Sequence, residues 1–91
     1  MTKSHAIPSL ETLAMRAALD PKAFEERVAF IDPVVAEANR RAIPKEDYAE
    51  FFQICIDDLE RQFPDAWRPD LAYALRTAIQ RRETPKAVTI Q

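Results

Sequence analysis

The sequence predicts an all-α fold: a compact bundle of about five short helices around a long central helix at about 44–62, with an extended C-terminal tail. Three observations carry that expectation. Glycine is absent from all 91 residues, which argues against a hairpin-rich β protein, because tight hairpin turns draw on residues that tolerate positive φ. Apolar residues recur every three or four positions through most of the chain, the period of an amphipathic helix. Four of the seven prolines, Pro8, Pro21, Pro33 and Pro44, stand 13, 12 and 11 residues apart, and each suits a helix start. The intervening segments share nothing beyond Asp-Pro, so common capping chemistry explains the spacing better than duplication.

A composition of 47% hydrophobic and 31% charged residues is that of a folding chain, and 91 residues leave room for one modest core. The expected organisation is a flexible N-terminus over 1–8, a single helical domain over 9–83 and an extended or disordered tail over 84–91.

The first helix is expected from Ser9, its N-cap, to Leu19, with Leu10, Leu13, Ala14 and Ala17 on one face and Met15 and Leu19 on the other. Asp20-Pro21 opens a second helix, ending near Ile31, that aligns Phe24, Val28 and Ile31 and leaves Phe30 off the stripe. Asp32-Pro33 repeats the capping signal and predicts a separate third helix carrying Val34, Val35, Ala38 and Ala42, with Arg40 and Arg41 at its end. The fourth, Pro44 to about Gln62, is the longest and most apolar. It gathers Tyr48, Phe51, Phe52, Cys55, Ile56, Leu59 and Phe63 into one broad arc, which predicts the central position. Phe63-Pro64-Asp65 ends it, and Trp67 sits in the turn that follows. The fifth helix runs from Pro69 to about Arg82 with Leu71, Ala74, Leu75, Ala78 and Ile79 inward, and Tyr73, Arg76, Thr77, Gln80 and Arg81 outward. After Pro85 the alternating β-branched run Lys86 to Ile90 reads as extended, either a frayed tail or a segment that docks on a partner.

The inventory of reactive groups is short. The single histidine, His5, stands near the N-terminus and the single cysteine, Cys55, lies mid-helix on the apolar arc. No nucleophile with its base and no Cys/His metal spacing is present in the sequence, so no catalytic residue, metal site or cofactor is expected. Without glycine no phosphate-cradling loop can form, and a small-molecule substrate is not expected. One cysteine gives no internal disulfide, and no run approaches the roughly 18 apolar residues of a membrane span. The expected setting is the cytoplasm, away from the membrane.

What remains is surface. Residues 1–60 hold 12 acids and 7 bases, whereas residues 61–91 hold 3 acids and 6 bases, so charge is segregated along the chain. Glu46, Glu50, Asp57, Asp58 and Glu60 form an acidic back to the fourth helix. Tyr73, Arg76, Arg81 and Arg82 form a basic outer face on the fifth. Met15, Leu19, Phe30 and Trp67 are apolar residues surplus to the assigned core. The leading expectation is a small non-enzymatic protein–protein interaction module, an adaptor, regulator or inhibitor that binds a protein partner or a second copy of itself. Two others stand behind it: a nucleic-acid accessory protein using the basic face, and an acidic decoy that fills the basic groove of a nucleic-acid-binding protein.

Overall fold

The structure, a computed structural model, describes residues 8–83. Four α-helices and one 3-10 turn make up its regular elements: α1 (Leu10–Leu19), α2 (Pro21–Arg41), the turn at Lys45–Asp47, α3 (Tyr48–Gln62) and α4 (Arg68–Glu83). The all-α expectation stands, with four helices in place of about five. The N-terminal arm up to Ile7, including His5, and the tail at 84–91 lie outside the described residues.

Two Asp-Pro dipeptides meet different fates. Asp20 does cap: its carboxylate accepts from the amide of Ala23 at 3.2 Å, and Pro21 occupies the first turn of α2. Asp32-Pro33 does not start a helix, and α2 runs through Pro33 as one element of 21 residues, the longest in the protein. The apolar stripe explains the difference. Phe24, Val28, Ile31, Val35 and Ala38 follow at intervals of four, three, four and three, so a break at residue 32 would take Val35 off the face that buries Ile31. Pro33 itself is exposed, and so is Ala29, whose carbonyl loses its helical donor there, so water can satisfy that oxygen. The Asp32 carboxylate, instead of capping, binds Arg82 of α4.

The central helix is α4 and not the expected 44–62 segment. It packs against α1, α2 and α3 in turn, and its inner face of Leu71, Ala74, Leu75 and Ala78 is buried along its length. Alanines at 74 and 78 keep that face thin, so the neighbouring helices approach closely enough to bury Ile31, Val35, Cys55 and Leu59 against it. In α3 only Cys55 and Leu59 of the broad apolar arc are fully buried. Phe51, Ile56 and Phe63 pack at the core margin, and Tyr48 and Phe52 face outward. The helix is therefore a wall of the bundle with apolar surface to spare. α1 is held more lightly still, burying Leu13 alone while Leu10 is exposed.

The missing glycine leaves its mark at the end of α2. Ala42 takes the left-handed conformation, φ 56° and ψ 56°, and its amide donates to the Asn39 carbonyl at 3.2 Å. An L-residue with a Cβ costs roughly 1–2 kcal/mol in that position, which glycine occupies without strain. Ala42→Gly is expected to stabilise the fold by roughly 0.5–1 kcal/mol after the added entropy of the unfolded chain is subtracted. Thermal unfolding followed by circular dichroism checks this; an unchanged or lowered Tm would show that strain at Ala42 is already relieved.

Candidate interaction surface

The four apolar residues set apart by the sequence sit at different kinds of place. Trp67 precedes α4, and its carbonyl accepts from the amides of Asp70 at 2.9 Å and Leu71 at 3.3 Å. Arg16 of α1 lies over the Trp67 ring at 4.6 Å and forks onto Asp70 at 2.9 and 2.8 Å. That carboxylate also stands at the helix N-terminus, where an anion is favoured, and its hydrogen bond to Arg16 holds the guanidinium above its usual pKa. The cluster ties α1 to α4, so Trp67 acts as a structural ring although 45% of it remains exposed. Phe30 packs edge-on against Phe63 with ring centroids 5.8 Å apart. Met15 and Leu19 stay open on α1, at 63% and 84% exposure.

The arginines of α4 are similarly engaged. Arg81 forks onto Glu25 at 2.9 and 2.7 Å, and Arg82 onto Asp32 at 2.9 and 2.7 Å, two parallel clamps between α4 and α2. Hydrogen bonds from these arginines hold the carboxyls of Glu25 and Asp32 below their ordinary values. Tyr73 lies against Phe24, with centroids 5.6 Å apart, and Thr77 donates its hydroxyl to the Tyr73 carbonyl at 2.9 Å. Of the expected basic face, Arg76 alone is exposed and outside any ion pair among the described residues.

The acidic back of α3 divides in two. Towards its C-terminal end, Asp58 pairs with Arg61, Glu60 with Arg68 at 2.7 Å, and Asp57 with Gln53 at 3.1 Å and more distantly with Arg68 at 3.9 Å. Glu46 and Glu50, at the other end, are exposed and in no ion pair among the described residues.

A different surface gathers the apolar exposure. A cavity of about 250 Å³ opens where the end of α2 meets the start of α3, lined by Val35, Ala38, Ile43, Tyr48, Phe51 and Phe52. A second, of about 330 Å³, lies between α3 and α4 over Ile56, Ala72 and Leu75. Phe52, Ile79 and Glu83 line both, so the two form one groove. Tyr48 and Phe52 face each other across 5.9 Å at 44% and 37% exposure, and Phe51 adjoins Phe52 at 6.0 Å. Ile54, also exposed, extends the apolar surface around α3 towards Val34 and Pro33. Sequence reasoning placed Tyr48 and Phe52 on the inward arc, where the structure exposes both, while Ile79 keeps its inward place against the core. The usable signal was the width of the arc: seven apolar residues on one helix exceed what a wall position can bury.

Among the described residues no group of three or more His, Cys, Asp or Glu side chains could hold a metal ion. Cys55 is fully buried, and burial, with a smaller contribution from Asp58, pushes its thiol up to about 11. No helix of the described residues is long and apolar enough to cross a membrane. No family model matches the chain, and no curated protein and no solved structure matches it.

Two predictions follow from this chemistry. Cys55 is expected to resist a thiol reagent such as dithionitrobenzoate at pH 8 in the native protein and to react within minutes in denaturant. Rapid native labelling would show that the buried site opens readily. In acid, the depressed carboxyls of Glu25 and Asp32 mean that the unfolded chain binds more protons than the folded one. Their stabilisation is complete above about pH 4.5 and is lost as pH falls through the folded values. Both pairs are largely exposed, so solvent screens them and their contribution is small. An Arg81→Gln/Arg82→Gln variant is expected to show a shallower loss of stability between pH 5 and pH 3 in urea titrations, and an unaltered slope would exclude these pairs as its source.

Proposed function

We propose that this protein is a non-catalytic interaction module that binds a protein through the groove between α3 and α4. One observation carries the reading: half-exposed aromatic rings, Tyr48 and Phe52, are contiguous with an apolar floor formed by Ile56, Leu75 and Ile79. Isolated exposed apolar side chains are ordinary, but rings and branched aliphatics joined along one groove form a desolvation site, and aromatic residues dominate the energetics of such sites. The polar groups that line the groove, Asn39, Arg76, Gln80 and Glu83, are spread along both of its cavities, whereas small-ligand sites rely on convergent polar contacts for orientation. A nucleic-acid role for α4 has less support, since Arg81 and Arg82 already fork onto carboxylates and Tyr73 is packed on Phe24.

A photo-crosslinking phenylalanine analogue tests the reading when placed at Tyr48 in the groove and, in a separate variant, at the exposed Leu19 on α1. The expected result is a protein adduct of defined mass from position 48, absent from position 19 and lost when Phe52→Asp is added to a chain that keeps its helical circular dichroism. Adducts at equal yield from both positions, or from neither, would overturn it.

A further inference from the structure

We propose that the α3–α4 groove is filled by a second copy of this chain, packed about a two-fold axis so that Arg76 of each copy meets Glu83 of the other. The inference rests on the groove's being a protein-binding surface and names its occupant.

The stripe of α4 that borders the groove reads Ala72, Arg76, Ile79, Glu83, at intervals of four, three and four, so these four residues lie along one line of the helix surface. Arg76 and Glu83 are both exposed, and neither is paired within the described residues. That sets them apart from their surroundings. Arg81, Arg82, Arg16 and Arg68 are all spent on carboxylates of other segments, whereas this one base and this one acid, two turns apart, have been left on the rim.

Their separation has a geometric consequence. Seven residues advance about 10.5 Å and rotate nearly two full turns, so Arg76 and Glu83 stand on the same face with Ile79 between them. Laying two copies of α4 antiparallel, with the axis between positions 79 and 80, puts Arg76 against Glu83 twice and brings the two Ile79 side chains together in the middle. An isologous contact requires this self-complementarity, in which residue i meets j and j meets i. A partner stripe of one sign would leave one of the two charges facing its like. A second copy matches both. Phe52 and Ile56 form the outer wall of each groove and cover the flanks of the opposing α4. The backbone agrees, because the described residues contain no strand whose edge could be extended, so association proceeds by helix packing. With a net charge of −2, long-range repulsion between copies is slight.

The test uses the full chain and a charge swap, read by sedimentation equilibrium over a range of concentrations. Wild type is expected to dimerise reversibly. Arg76→Glu alone and Glu83→Arg alone are each expected to weaken dimerisation about tenfold or more, since each places like charges together twice. The double variant Arg76→Glu/Glu83→Arg is expected to recover dimerisation to within about threefold of wild type, and an equimolar mixture of the two single variants to form a mixed dimer. Both positions are solvent-exposed, so folding is retained, and circular dichroism verifies it. A wild type that remains monomeric at every concentration, or a double variant as weak as the single ones, overturns the proposal. The crosslinking experiment separates this failure from that of the broader reading: an adduct from position 48 with a mass other than twice the chain's retains a protein-binding groove while removing the second copy from it.

Discussion

The thinness of the inner face of α4 governs the rest of the fold. Leu71, Ala74, Leu75 and Ala78 are all buried, and the two alanines at spacing four leave a shallow channel along which α2 and α3 lie against the helix. A larger side chain at either alanine would drive those helices apart and open the layer that holds Ile31, Val35, Cys55 and Leu59. Close approach also brings the helix backbones within reach of one another's long side chains, and the Arg81–Glu25 and Arg82–Asp32 forks span that interval. The same contact decides which surfaces remain open. Because α4 takes the middle, α3 becomes a wall, and the apolar residues that α4 does not cover form the groove.

Much of this was legible in the sequence where the cause is local. The Ser9 cap, which accepts from the Thr12 amide at 3.1 Å, the Asp20 cap, the start of the last helix and its inward residues Leu71, Ala74, Leu75 and Ala78 all follow from short-range spacing and capping chemistry. Pro33 shows the boundary of that kind of reading. Asp-Pro is a strong start signal, yet a continuous apolar stripe and an arginine 50 residues away outweighed it. The assignment of a central helix failed for a related reason. The most apolar helix is not the most buried one, since the middle of a small bundle favours small side chains that allow contact on several sides, and apolar bulk is left over at the wall.

The candidate surface was less legible than the fold. Charge segregation along the chain was real in sequence but largely cancelled in space, because acids of α2 and bases of α4 lie 50 and 56 positions apart and meet across the bundle. Local pattern cannot show such pairs. What it does show is which charges have no local partner, and Arg76, Glu46 and Glu50 belong to that remainder. The buried nature of Cys55 followed directly from its place between apolar neighbours on the arc. Trp67 did not, since its role depends on a guanidinium from α1 that settles over its ring.

The proline inside α2 gives that helix a grain. Amides on either side of position 33 can be sealed into the helical ladder, but the rung between Ala29 and Pro33 has no hydrogen to share, and both residues are exposed, so water can take its place. Cooperativity along α2 is therefore weakest at one fixed point, with Val28 and Ile31 anchoring the segment before it and Val35 the segment after. Arg82 grips Asp32 beside that gap, so the last turn of α4 acts as a splint. One core face spans the same gap, so the two halves of the helix share their anchorage, and the later half leads into the Ala42 corner and the mouth of the groove.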